Sequence, residues 1–191
     1  MANELQGRKV AILIAPVGTE QVEFVQPKEA VEGEGATVEV IGLQAGEAHT
    51  MNGDVNPGET FMAEKAVADV SPDDYDALIV PGGTVGADNL RGDADAVAFV
   101  RGFFEQAKPV GVICHGPWTL VEADVVKGRT LTSFPTLQTD IRNAGGTWVV
   151  EEVVTDQGLV TSRNPDDLPA FCAKVVEEIG EGKHADQARS V

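Results

Sequence analysis

Two reactive residue types stand side by side in VICHGPW, residues 112–118, where Cys114 is followed by His115 in a chain holding only two cysteines and three histidines. A thiol can act as a nucleophile once it loses its proton, and a neighbouring imidazole can take that proton. The aliphatic run before Cys114 reads as a buried strand, and Gly116-Pro117-Trp118 after it as the start of a helix. A side chain placed between strand and helix sits on a sharp turn, facing the next amides and the positive end of the helix. Both features favour a thiolate. The pattern here is V-x-C-x-G, with Val112 where such elbows usually carry a first glycine and Gly116 retained. From the residues alone, Cys114 as a small buried hydrophobe stays open beside Cys114 as a nucleophile. Cys172 falls on the apolar stripe Leu168, Phe171, Cys172, Val175, Val176, Ile179 and reads as packing.

Elements that could position such a turn are legible along the chain. KVAILIA (9–15) reads as a strand buried on both faces, followed by a helix over 21–34 that Pro27 must start or kink. ATVEVIG (36–42) is a second strand, and the breaker-rich stretch 46–69 suggests short strands or a hairpin. YDALIVPGG (75–83), PVGVIC (109–114) and RTLTS (129–133) read as further strands. The stretches 93–107, 118–123 and 136–146 read as helices, 148–162 as a hairpin turning at 156–158, and a last helix follows Asn164-Pro165. This alternation predicts a single-domain, open, mostly parallel α/β sheet with helices on both faces, in which ligands bind beyond the carboxyl ends of the strands. We expect a lead-in at 1–8, the α/β domain at 9–180 and a flexible tail at 181–191.

Composition narrows the partners. The 191 residues include 14 Lys plus Arg against 31 Asp plus Glu, a formal charge of −17. That balance argues against nucleic acid, which requires clustered cations. No stretch approaches the roughly 20 apolar residues needed to span a bilayer, and MANELQGRKV lacks the apolar core of a secretory signal, so a cytoplasmic protein without membrane association is expected. Two cysteines in a reducing compartment make no disulfide framework. His49 and His184 form no metal constellation with Cys114.

VICHGPW, with DALIVPGG before it and RTLTSFP, DIRNAGGTWV, EEVV and LVTSRNPDDLPAF after it, resembles the PfpI/ThiJ family, the intracellular-protease-like branch of the class I glutamine amidotransferase-like fold, over Lys9 to about Ile179. The resemblance implies a flavodoxin-like sheet with Cys114 as nucleophile, His115 beside it, and backbone donors at Gly83 and His115 for a developing oxyanion. The family's glutamate that hydrogen-bonds the cysteine falls on Glu20 when EQVEF is matched, and an acid lent to the histidine by a neighbouring subunit falls on Asp88. The loops 16–19 and 84–87 each look one residue longer than the family's, which bears on Asp88. Glu20 lowers the thiol pKa only if it is itself neutral and donates a hydrogen bond; ionised, it would raise it.

His184-Ala185-Asp186 imitates the H-x-E of glutaminases of this fold but follows the final helix, so a glutaminase is rejected. Relatives imply a hydrolase acting without cofactor or metal on reactive carbonyls, either small carbonyl compounds or glycated proteins and peptides, in the manner of glyoxalase III or deglycases. The alternatives are an intracellular cysteine peptidase whose Cys-His-acid triad is completed across subunits, and a cysteine-based stress sensor or chaperone. A homodimer or higher oligomer is expected from the resemblance.

Overall fold

The structure is a computed structural model that describes residues 4–190. In chain order the elements are β1 (Lys9–Ile14), β2 (Val17–Glu20), α1 (Gln21–Gly33), β3 (Thr37–Gly42), β4 (Gly46–Asn52), β5 (Asn56–Ala63), β6 (Lys65–Ala66), β7 (Ala77–Val80), α2 (Thr84–Arg91) and α3 (Ala94–Glu105). They continue with β8 (Val110–Ile113), α4 (Pro117–Glu122), β9 (Thr130–Leu131), α5 (Gln138–Asn143), β10 (Thr147–Trp148), β11 (Val153–Asp156), β12 (Leu159–Ser162) and α6 (Leu168–Glu181).

Seven strands form the central sheet in the order β11-β12-β8-β7-β1-β3-β6, with β11 alone antiparallel to its neighbour. The expected α/β architecture is therefore present, and the strand reading of β1 has a physical cause. Ala11, Leu13 and Ala15 pack with Phe99, Phe103 and Leu120 on the face covered by α2 to α5. Val10, Ile12 and Ile14 pack with Phe24, Phe171 and Ile179 on the face covered by α1 and α6. A strand buried on both faces needs this continuous apolar run.

Outside that sheet, β2, β4 and β5 form a three-stranded sheet, so the segment 16–19 expected as a loop is largely a strand, and the expected hairpin within 46–69 is β4–β5. The hairpin expected over 148–162 is confined to β11–β12; Trp148 pairs instead with Leu131 in a separate two-stranded ribbon. Pro27 lies inside α1 rather than in its first turn.

Both ends of the described chain are tied down. Leu5, in the expected lead-in, is fully buried, and its N–H donates to the Glu34 carbonyl at 3.0 Å. The tail expected to be flexible is docked over 184–187. The His184 N–H donates to the Ala107 carbonyl, Arg129 donates to the Gln187 carbonyl at 2.7 Å, and Gln187 is buried. His184 also meets the buried Glu178 at 3.1 Å. Glu178, Glu181 and His184 are the one group of potential metal ligands found among the described residues, within 4.8 Å of one another. They lie beyond the start of β8, whereas Cys114 follows its end. Residues 1–3 and 191 lie outside the described residues.

Candidate active site

Cys114 follows β8 directly and has φ of +62°, a left-handed conformation that few residues other than glycine adopt. This bend resolves the difficulty of adjacent side chains pointing apart in extended backbone. It folds His115 back, so that Nδ1 lies 3.2 Å from Cys114 Sγ. Its lattice of supports is backbone: the Cys114 N–H donates to Ser162 O at 3.0 Å and the Phe134 N–H donates to Cys114 O at 2.8 Å. Gly116 is required by close approach, since a Cβ there would lie 2.8 Å from Val112 Cγ1 and 2.9 Å from Val80 O. Val112 at the first position of the elbow is thus accommodated by Gly116, and V-x-C-x-G still forms the turn.

The acid at the sulfur is Glu23, three residues beyond the predicted Glu20. Glu23 is fully buried; its Oε2 accepts from the Gly82 N–H at 2.9 Å and its carboxyl faces the Cys114 side chain across Gly82. Gly82 sits between them so tightly that a Cβ there would fall 2.4 Å from Glu23 Oε2 and 2.6 Å from Cys114 Cβ. Glu20 occupies the position just before α1, and its carboxylate accepts from the N–H groups of Gly53 (2.9 Å) and Asp54 (3.2 Å) at the tip of the β4–β5 hairpin. Matching EQVEF to the wrong glutamate is explained by helix phase. Glu23, Pro27 and Val31, at i, i+4 and i+8, share the buried face of α1, while Glu20 precedes the helix. A carboxylate on an apolar stripe was the signal available in the sequence.

Burial, with smaller contributions from the neighbouring Glu20 and Asp54 charges, pushes the Glu23 carboxyl up to about 8, so at neutral pH it carries its proton. The neutrality argued for Glu20 thus belongs to Glu23. The Cys114 thiol is also pushed well above its ordinary value, first by burial and then by the Glu23 charge, while hydrogen bonds from the backbone amides of Gly83 and His115 act in the opposite direction. A resting thiolate is the expectation from the helix terminus alone. That expectation fails because the residue is only 6% exposed and α4 is just six residues long. Gly83 and His115, expected as oxyanion donors, aim their N–H groups at the sulfur itself.

His115 is buried, stacked on Phe134 at 4.5 Å and beside Trp118 at 5.3 Å. Burial lowers its pKa and the Asp54 charge partly restores it. Asp88, the predicted partner-supplied acid, is exposed and forms an ion pair with Arg91 at 2.7 Å. The acidic group that approaches His115 within the chain is Asp54, by way of Thr84, two residues the sequence reading passed over. The N–H and Oγ1 of Thr84 donate to the two carboxylate oxygens of Asp54 at 2.6 and 2.9 Å, and Thr84 Oγ1 lies 3.4 Å from His115 Nε2.

These groups border a cavity of about 170 Å³ lined by Glu20, Glu23, Gly53, Asp54, Gly83, Cys114, Phe134 and Pro165. Pro165 arrives on the TSRNPDD segment, which Arg163 braces by donating to both oxygens of Asp167 at 2.8 and 2.7 Å. Cys172, in contrast, is half-buried against the α1/α6 core. Among the described residues no helix is long and apolar enough to cross a membrane.

Known proteins share this chain's sequence pattern and fold. The Bacillus subtilis protein named "Putative cysteine protease YraA" is 40% identical over 164 residues, covering 86% of this chain and 94% of that protein. Among solved structures, a two-domain Anabaena variabilis protein containing DJ-1/ThiJ/PfpI-like and ferritin-like domains matches with a TM-score of 0.84 at 32% identity, covering 91% of this chain. The present chain spans about half of that protein, 48% of its length. Drosophila melanogaster DJ-1beta matches with a TM-score of 0.81 at 25% identity, covering 99% of this chain and 95% of that one. The DJ-1/PfpI family pattern itself extends over residues 8–178, almost from the first strand to the end of the last helix, and the chain belongs to the DJ-1/PfpI family.

Proposed function

We propose that this protein is a cysteine-dependent hydrolase of reactive carbonyls, of the glyoxalase III and deglycase type, with Cys114 as nucleophile, Glu23 as proton carrier and His115 as second base. The observation that carries this reading is a buried Glu23, its pKa raised by burial, facing Cys114 across Gly82 at a small cavity. A thiol held protonated by burial reacts if its proton leaves as sulfur attacks, and His115 Nδ1 stands 3.2 Å away to take it.

With methylglyoxal, a C–S bond forms at the aldehyde carbon while Glu23 gives its proton to the aldehyde oxygen, producing a hemithioacetal. Glu23, now a carboxylate, removes the hydrogen of that carbon as a proton and returns it to the adjacent carbon. The hydroxyl proton passes between the neighbouring oxygens, leaving a 2-hydroxy thioester. Water adds to the thioester carbon and gives a proton to Glu23, the C–S bond breaks, and the sulfur recovers its proton from His115. One water is consumed and no external oxidant or cofactor enters. The amides of Gly83 and His115, already aimed at the sulfur, serve the oxygen charge that develops beside it. A lining that carries Glu20, Glu23 and Asp54 suits a neutral or cationic carbonyl better than an anionic one.

Peptide hydrolysis by the same thiol is the second reading, favoured by the name of the Bacillus subtilis relative. Product analysis with methylglyoxal, a glycated peptide and an unmodified peptide separates the two. Hydroxy acid formation that falls about 10³-fold or more in Cys114→Ser, and on the order of 10²-fold in Glu23→Gln, is the expected result. Cleavage of the unmodified peptide with no turnover of either carbonyl substrate would refute the carbonyl assignment.

A further inference from the structure

We propose that Asp54, acting through Thr84, is the positioning acid for His115, so that each chain carries its own Cys-His-Thr-Asp relay. The inference rests on the reading of Cys114 and His115 as the reacting pair, and it follows from counting protons. A threonine hydroxyl has one hydrogen, and Thr84 Oγ1 donates it to Asp54 Oδ2 at 2.9 Å. Asp54 Oδ1 is meanwhile held by the Thr84 N–H at 2.6 Å, so the carboxylate grips residue 84 at two points. Thr84 Oγ1 is left with only lone pairs to offer His115 Nε2, at 3.4 Å. Nε2 must therefore be the protonated nitrogen, which leaves the lone pair of Nδ1 facing Cys114 Sγ at 3.2 Å. That tautomer is the one able to accept the thiol proton. When it does so, the imidazolium formed is buried, and the Asp54 charge is the opposing charge that reaches it.

The hairpin tip is built to hold this arrangement. Asp54 has φ of +64°, and its own N–H and that of Gly53 are both bound by the Glu20 carboxylate. Glu20, the residue expected at the sulfur, thus holds the loop that presents Asp54. The competing arrangement, Asp88 lent across a subunit interface, requires a side chain that in this chain is paired with Arg91.

The test reads the tautomer directly. In the full chain with 15N-labelled histidine, the two ring nitrogens of His115 should show Nε2 protonated and Nδ1 bare in the wild type and in Thr84→Ser. Thr84→Val and Asp54→Asn should shift the population towards the other tautomer. Methylglyoxal turnover should fall on the order of 10- to 100-fold in Thr84→Val and Asp54→Asn, with a larger change in kcat than in KM, and return in Thr84→Ser. Specific activity should hold through a dilution series. Unchanged His115 signals in both Thr84→Val and Asp54→Asn would overturn the relay. Activity that disappears on dilution and falls as far in Asp88→Asn as in Asp54→Asn would do the same. Should wild-type turnover of carbonyls be absent, the functional reading fails while the histidine signals still decide the relay. If Thr84→Val does not fold, Asp54→Asn carries the measurement alone.

Discussion

Glu23 in the first turn of α1 and Glu178 near the end of α6 are both buried glutamates with a base or nucleophile close by, yet they serve opposite ends. Burial raises both carboxyls. Glu178 is compensated by His184 at 3.1 Å, and the pair fastens the C-terminal segment to α6 while the His184 N–H holds it to Ala107 O ahead of β8. Among the described residues Glu23 has no cation beside it; its neighbours are an amide, a thiol and a cavity. A buried acid with a countercharge is a fastening, whereas a buried acid left to hold its own proton is a reservoir of that proton at neutral pH.

The sharpest way to test this contrast is stability against pH. Because the folded pKa of Glu23, about 8, exceeds its ordinary value of 4.5, the native state binds the extra proton between those values. Stability from this group is whole below pH 4.5 and is lost as pH rises through 8, by up to about 5 kcal/mol before coupling to Cys114 reduces it. Denaturant melts at pH 5 and pH 9 should therefore show wild type losing more stability over this interval than Glu23→Gln. Equal losses would break the contrast.

Next in size, Gly82→Ala places a methyl between Glu23 and Cys114 and should cost about 3 kcal/mol while abolishing turnover. A stable variant with normal activity would show that the two groups need not touch. The smallest effect is expected at the other glutamate. His184→Ala should lower stability by about 1 kcal/mol and leave methylglyoxal turnover unaltered, because the pair it breaks is a fastening. A drop in turnover as large as the one in Glu23→Gln would erase the distinction between the two ends.

Much of the scaffold was legible because it rests on patterns that repeat. The strands β1, β7 and β8 are apolar runs ended by proline or a turn, β3 is a β-branched run ended by glycine, and helices α3 and α6 carry clear stripes. The short ribbon of β9 and β10 was not, since two-residue strands leave no periodicity to read. The docking of 184–187 was missed because a polar segment following a glycine looks the same in sequence whether or not a buried glutamate and the backbone carbonyl of residue 107 await it.

Sequence alone determined that a cysteine and a histidine meet a strand-to-helix turn, because the order of residue types is enough to place both at one bend. Which glutamate reaches the sulfur, which nitrogen of His115 faces it and which acid stands behind were decided by tertiary structure. Each depends on a phase or a contact that local patterns do not encode. Glu23 is selected by the rotation of α1 against the sheet, and Asp54 by a hairpin that brings residue 54 to residue 84. The raised thiol pKa belongs to the same class, since burial is a property of the assembled fold and outweighs the pull of a short helix.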